Sequence, residues 1–200
     1  RGAMQDQDVI AERAFYDQLF ANNPENEHIT SGYDELHNMA LPTPPEGRVF
    51  DLGCGTGQLT EVVAPHVRRV ISVDGSEDML EAARQRLSGA TNVDIRQGEL
   101  ESLPIESGEL DVAMLSLVLH YSPEPPRALA EVGRVVRTGG RVLVVDMLPH
   151  DREEYQQQMG HVWLGFSEAQ TTRLLTAAGF ENVRVRMLPV DPDAKGPALF

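Results

Sequence analysis

Three glycines at alternate positions, Gly53, Gly55 and Gly57, stand between two carboxylates. Asp51 lies just before them and Asp74 follows Gly53 by about 20 residues. That grouping could hold a nucleoside. Backbone without Cβ atoms can turn sharply and lie against a ligand, and a carboxylate at that remove accepts hydrogen bonds from ribose hydroxyls. The spacing is G-x-G-x-G rather than the G-x-G-x-x-G that presents a pyrophosphate to a helix N-terminus. Asp51 would repel a phosphate and would suit a cation bearing an ammonium group. A second set of residues could move protons: His120, His150 and His161, with Tyr155 as a polar orienter. Histidine's unperturbed pKa of roughly 6.5 lets each take a proton near neutrality. For His120 the plainer alternative is a backbone-bonded ring that fixes its loop. Cys54, among the glycines, reads as a small residue packed under the turn rather than as a nucleophile.

These groups need a scaffold that delivers them to one edge. Residues 49–52 and 70–73 are short apolar runs flanking the glycine turn, and residues 58–64 between them have helical spacing stopped by Pro65. Ser76 caps a helix reaching residue 87, with Glu77 and Asp78 in its first turn. Further strands are expected at 92–97, 110–115, 141–147 and 183–190, and a seventh begins at 197–200. Pro125 and Pro126 open a helix with an apolar stripe through Ala128, Leu129, Val132 and Val136, closed by Gly139-Gly140. Ser167 and Gln170 form a capping box for the last helix, which Gly179 ends. Strands alternating with helices imply an α/β fold, a mostly parallel sheet covered on both faces. Ahead of it, residues 6–20 carry an amphipathic helical pattern and residues 33–40 a shorter one.

Formal net charge is −14, from 17 basic and 31 acidic residues. That imbalance argues against nucleic acid and anionic membranes as partners, since both require a basic footprint. No apolar run approaches the roughly 20 residues that cross a bilayer, and no signal-peptide pattern opens the chain. Cys54 is the sole cysteine, which excludes an internal disulfide and a multi-cysteine metal site. A cytoplasmic location is expected. Arg1-Gly2-Ala3 before Met4 reads as an expression remnant, so residues 1–4 stand outside the fold argument. Residues 5–45 would form a helical cap over the cleft and residues 46–200 the ligand-binding domain, one structural domain in all.

The run D-L-G-C-G-T-G at 51–57 resembles the first motif of class I S-adenosylmethionine-dependent methyltransferases. Their cofactor is a cation of the expected kind: an adenosine with no phosphate, a sulfonium and an amino-acid tail. Residues 110–146 are similar to the small-molecule ("type 11") branch, and the likeness extends from residue 47 to 190. H-D-R-E-E-Y followed by W-L-G-F-S resembles, more narrowly, methyltransferase domains fused behind ArsR-type winged-helix regulators. The resemblance implies a Rossmann-like, doubly wound, mostly parallel sheet of seven strands with a C-terminal antiparallel hairpin.

It also implies roles. Asp51, Gly53, Cys54, Gly55 and Gly57 would hold the methionine end, Asp74 the ribose, Glu99 with Leu100 the adenine, and the Ser116 carbonyl the methionyl ammonium. Two positions depart from the family: Glu99 replaces the usual Asp, and Gly75 stands where a larger apolar residue commonly packs on the adenine. Met79 or Leu100 would supply that surface. Trp163 and Phe166, with Tyr16, His28 and Tyr33 from the cap, are candidates for the acceptor-pocket wall, packing being the plain alternative. Ser116-Leu117-Val118-Leu119 lacks the (D/N)-P-P-(Y/F) motif of enzymes that methylate DNA adenine or protein glutamine. In metal-dependent catechol-type enzymes Asp146 would fit one carboxylate position, but Leu115 and Ser116 occupy the other, so no metal is expected. The implied activity is in-line methyl transfer to an O, N or C nucleophile of a small molecule, leaving S-adenosylhomocysteine. A sensor of either nucleoside without chemistry is the alternative, and a nicotinamide oxidoreductase is disfavoured by Asp51 and the glycine spacing. Oligomeric state stays open.

Overall fold

Successive side chains of a strand point to opposite faces of its sheet, and the short apolar strands here use both. In β1 (Arg48–Leu52) Val49 packs on one face while Phe50 and Leu52 pack on the other. β2 (Arg69–Asp74) and β4 (Leu110–Ser116) divide likewise, Val70, Val112 and Met114 joining Val49, and Ile71, Val73, Ala113 and Leu115 joining Phe50. A computed structural model describes residues 47–188 and 196–200. In it, β3 (Val93–Gln97) and β5 (Val136–Val145) complete a five-stranded parallel sheet of order β3-β2-β1-β4-β5. The helical cap expected over 5–45, with Tyr16, His28 and Tyr33, lies outside the described residues.

Helices cover both faces. α1 (Gln58–Val63) and the turn after it place Val63, Ala64 and Val67 on the Val49 face. α2 (Glu77–Arg86) follows β2; Ser76 caps it by accepting a hydrogen bond from the Met79 N–H at 3.4 Å, and Met79, Leu80 and Ala83 are buried. α3 (Pro125–Val135) sets Ala128, Leu129 and Val132 against the Phe50 face, joined by Leu175 of α5 (Glu168–Ala177). The capping box of α5 is complete, Ser167 and Gln170 each serving the other's backbone. Its end is a Schellman motif: the Gly179 N–H reaches the Thr176 carbonyl and the Phe180 N–H the Leu175 carbonyl. A short α4 (Glu154–Met159) lies on the excursion after β5.

Two expectations change. Gly139 and Gly140 do not close α3, which ends at Val135; they lie inside β5. Val136 already pairs with Leu110, and the register then slips before Val112 meets Arg141, so the glycines form an irregularity that a left-handed Gly139 (φ 76) permits. Among the described residues five regular strands stand where seven were expected, residues 189–195 of the expected hairpin lying outside them. Residues 183–188 form no ladder, and the C-terminal contact with β5 is a single antiparallel bridge, Met147 with Leu199. The Phe200 N–H donates to the Asp146 carbonyl at 3.0 Å, and the Leu188 N–H to the Leu199 carbonyl at 2.9 Å.

The register decides where chemistry can occur. Leu52 stands opposite Val73 and Leu115, Asp74 opposite Gln97, and Ser116 opposite Val145. All strand tips therefore share one edge, and the chain reverses its winding between β1 and β4. In open α/β sheets that switch point is where ligands bind.

Candidate functional site

The glycine turn after β1 is tied to the tip of β2. Asp74 accepts the Gly55 N–H on one oxygen and the Ser76 N–H on the other, both at 2.9 Å. The Gly53 and Cys54 N–H groups donate to the Val73 carbonyl. All three glycines have positive φ, 65°, 51° and 80°, but they serve different ends. A Cβ on Gly53 would sit inside the Val118 side chain, and one on Gly57 would come within 2.9 Å of Leu87. A Cβ on Gly55 would meet nothing within 4 Å. The first and third glycines let neighbours close in, and the middle one borders open space.

Beneath the turn lies a polar trio. Thr60 donates to Asp51 at 2.6 Å and shares a 2.8 Å hydrogen bond with Ser72. Asp51 is only 3% exposed, and Thr60 and Ser72 are buried. Burial, with the charge of Asp74 adding to it and the Thr60 hydroxyl opposing it, raises the Asp51 pKa to about 7. Burial also raises Asp74, against the pull of the Ser76, Gly55 and Gly75 N–H groups. Burial and both carboxylates push the Cys54 thiol far up, so it is no nucleophile. Two carboxylates held above their ordinary range, beside a backbone that leaves open space at Gly55, form a cradle for a cation without phosphate. The residues present fit S-adenosylmethionine.

At the neighbouring tip, Gly75 and Glu99 meet. A Cβ at 75 would stand 3.3 Å from each Glu99 carboxylate oxygen, so the longer acid covers the place a side chain would otherwise take. The two departures from the family pattern thus compensate in space. Gln97 adds a hydrogen bond to the Gly75 carbonyl at 3.2 Å. Leu100 is half-buried against the core while Met79 is buried under α2, which leaves Leu100 the better placed of the two for apolar contact.

The β4–β5 side is built differently. Leu117 leaves β4 in a left-handed conformation (φ 53), a strained choice for a non-glycine residue. Its N–H is held by the Val145 carbonyl at 2.8 Å. The bend drives Val118 onto Gly53 and leads into the turn Leu119–Tyr121, which carries His120. His120 Nδ1 lies 2.8 Å from Asp146, at the end of β5. Its ring stands 4.2 Å from that of His161 and 4.3 Å from that of Tyr121. Tyr155 adds an edge contact to His161 at 5.1 Å and one to His150 at 5.4 Å. The three histidines and the tyrosine singled out by residue type thus form one cluster.

That cluster rests on residues 149–165. A neck closes the excursion: the Phe166 N–H donates to the Met147 carbonyl at 2.8 Å and the His150 N–H to the Leu164 carbonyl at 3.1 Å. Gly165 (φ 85) sits in the neck because a Cβ there would collide with the Leu148 carbonyl. Val162 and Trp163 both donate backbone N–H bonds to the His120 carbonyl at 3.0 Å, and Trp163 Nε1 donates to the Ser122 carbonyl at 2.9 Å. Trp163 is 37% exposed, whereas Phe166, 1% exposed, belongs to the core cluster that also holds Leu175. Burial lowers His161 to about 3, with neighbouring His120 and His150 adding to the shift. Burial lowers His150 too, with Arg152 contributing.

Residue type alone missed Thr60, Ser72, Leu117 and the partnership of Asp146 with His120. Ser72 carries a readable trace, a hydroxyl in the otherwise apolar run 70–73; Thr60, between Leu59 and Glu61, carries none. Leu117 carries none.

Residues 50–144 match a family model described as a methyltransferase domain. The demethylmenaquinone methyltransferase of Clavibacter sepedonicus is 31% identical over 138 residues, 66% of this chain and 56% of that protein. The crystal structure of the YcgJ protein of Bacillus subtilis superposes with a TM-score of 0.71 at 26% identity, covering 82% of this chain and 75% of that one. Phosphoethanolamine N-methyltransferase 2 of Haemonchus contortus, solved in complex with S-adenosyl-L-methionine, shares the fold at a TM-score of 0.76 and 19% identity, over 94% of this chain and 44% of that one. The chain spans about half or less of the length of the first curated relatives, between 39% and 56%.

Proposed function

We propose that the chain is a class I S-adenosylmethionine-dependent methyltransferase and that it methylates a small molecule through the two halves of its sheet edge. What carries the reading is the junction of Asp74 with the glycine turn, where one carboxylate fixes the Gly55 N–H and borders the space beside it. When bound, S-adenosylmethionine supplies a methyl group on a positively charged sulfur, already activated for displacement.

The protein's own residues then have three tasks. Asp74 takes the ribose hydroxyls with the lone pairs that Gly55 and Ser76 leave it. Glu99, lying over Gly75, accepts from the adenine amino group, with Leu100 as apolar support and Met79 beneath. Gly53, Cys54, Gly55 and Gly57 shape the wall of the methionine end. Asp51 acts there from below the turn, through its charge rather than by direct contact, and the Ser116 carbonyl accepts from the ammonium. Holding the acceptor in line and excluding water is the larger part of the rate, about 7–11 kcal/mol for well-oriented partners.

The acceptor binds over the β4–β5 tips, against the histidine cluster and Trp163. The likeness of the 150–167 motif to regulator-fused domains is carried by sequence alone. Among the described residues no helix is long and apolar enough to cross a membrane, and a cytoplasmic setting with a diffusible small molecule suits the acidic chain. Titration calorimetry with S-adenosylhomocysteine and, separately, with NAD tests the reading. Heat of binding is expected for the first alone; binding of NAD alone would replace this function with a redox one.

A further inference from the structure

The inference rests on the methyltransferase reading and deepens it. Of the three candidate bases only His120 is held by a carboxylate. Asp146 is wholly buried, 0% exposed. One of its oxygens accepts the Met147 N–H at 2.7 Å and stands 2.8 Å from His120 Nδ1; the other accepts the His120 main-chain N–H at 3.3 Å. The Asp146 oxygens already accept two main-chain N–H bonds. The hydrogen bond to the ring is completed by the tautomer with its proton on His120 Nδ1, which leaves the Nε2 lone pair for a substrate proton.

The other two histidines have no such support. Nδ1 of His161 and Nε2 of His150 are buried without a hydrogen-bond partner. Burial drives His161 to about 3 and lowers His150, so neither ring readily keeps a proton taken from a substrate. His120 also has the firmest seat. Its carbonyl is gripped by Val162 and Trp163, and its ring is flanked by Tyr121 and His161. Asp146 thus has a task that neither the nucleoside cradle nor a metal explains, since among the described residues no three metal-ligating side chains come together.

We propose that Asp146 is the positioning residue of a His120–Asp146 dyad in which His120 Nε2 takes the proton of a phenolic hydroxyl as that oxygen is methylated. The acceptor oxygen gives its electron pair to the methyl carbon, the sulfur keeps the pair of the broken bond, and the proton passes to His120 and then to water. The acceptor class follows from what such a dyad is useful for. A neutral amine attacks before it loses a proton, and a thiol ionises largely unaided, with a pKa near 8.5. An alkyl alcohol is too weak an acid for imidazole to assist much, whereas a phenol, with a pKa of about 10, lies within its reach.

The test has a spectroscopic and a kinetic arm. In nitrogen-15 NMR at pH 8, with the His120 signals assigned from their loss in His120→Gln, the wild-type ring should carry its proton on Nδ1. Asp146→Asn, whose amide can donate, should move it to Nε2, and Asp146→Glu should move it back. A wild-type ring protonated on Nε2 would overturn the dyad, even if Asp146→Asn fails to fold. In the kinetic arm S-adenosylmethionine is offered with 4-methylumbelliferone, a phenol, and with thiophenol. Asp146→Asn should lower the phenol-to-thiophenol ratio of kcat at least 30-fold, with KM for S-adenosylmethionine within threefold. An equal fall for both acceptors would reduce Asp146 to a structural role and overturn the proposal. Wild-type protein that binds S-adenosylhomocysteine yet methylates thiophenol alone or neither probe would overturn the acceptor class. Absence of S-adenosylhomocysteine binding would overturn the methyltransferase reading itself.

Discussion

The two ends of the sheet's ligand edge hold their charged groups in opposite ways. At the β1–β2 tips, carboxylates are buried under backbone: Asp51 is pushed up to about 7 and Asp74 is raised, and their partners are N–H groups and hydroxyls. At the β4–β5 tips histidines are buried under other side chains, and His161 is pushed down to about 3. One half holds two carboxylates above their ordinary range with no cationic side chain among their hydrogen-bond partners. In the other, burial lowers His161 and His150, and a single carboxylate lies against the third ring. A site that binds a charged donor beside an uncharged acceptor requires that division.

The comparison predicts mutations that damage one half and spare the other. The largest effect is expected from Gly53→Val, whose side chain would have to displace Val118 and leave the left-handed φ of 65°. It should abolish S-adenosylhomocysteine binding in calorimetry and cost about 3 kcal/mol or more in urea unfolding. Gly165→Ala should cost about 1–3 kcal/mol by strain at φ 85 against the Leu148 carbonyl. It should cut turnover while leaving S-adenosylhomocysteine affinity within threefold. Loss of affinity in that variant would erase the boundary between the halves.

Acidity should separate them as well. His161 binds its proton less readily when folded, near 3 against 6.5 unfolded, so the stability it contributes is complete above pH 6.5 and is lost as pH falls toward 3. Asp51 binds its proton more readily when folded, near 7 against 3.8, so stability is greatest below 3.8 and is lost as pH rises toward 7. His161→Phe should therefore stabilise the protein more at pH 5 than at pH 8, and Asp51→Asn more at pH 8 than at pH 5. Each difference should be on the order of 1–3 kcal/mol in urea melts. Equal gains at both pH values would remove the electrostatic contrast. Trp163→Phe, which removes the bond to the Ser122 carbonyl, should have the smallest effect, about 1 kcal/mol in stability. Its kinetic signature should be a raised acceptor KM with cofactor affinity unchanged.

The halves also differ in how much their residues disclose in order along the chain. D-L-G-C-G-T-G and Asp74 announce the nucleoside side because its chemistry is done by backbone, and glycine is the one residue that signals what its backbone must do. The central sheet was legible for a related reason: short continuous apolar runs and caps such as Ser76 and Ser167 are local signals. The acceptor side depends on contacts between residues far apart. His120 and Asp146 were each visible, but their 2.8 Å approach depends on a left-handed Leu117 that no propensity favours. Phe166 and Trp163 were indistinguishable as aromatics in one stretch; burial separates them, Phe166 at 1% exposed lying in the core cluster and Trp163 at 37% reaching the surface. The β5 start was misread since Gly139-Gly140 is a common helix stop, and here a strand irregularity prevailed.

Most direct is calorimetric titration of S-adenosylhomocysteine into the wild type and Asp74→Ala, with melting curves confirming that the variant is folded. One site per chain is expected for the wild type, and the variant should lose at least 100-fold in affinity, about 2.7 kcal/mol. A folded variant that binds as tightly as the wild type would contradict the account.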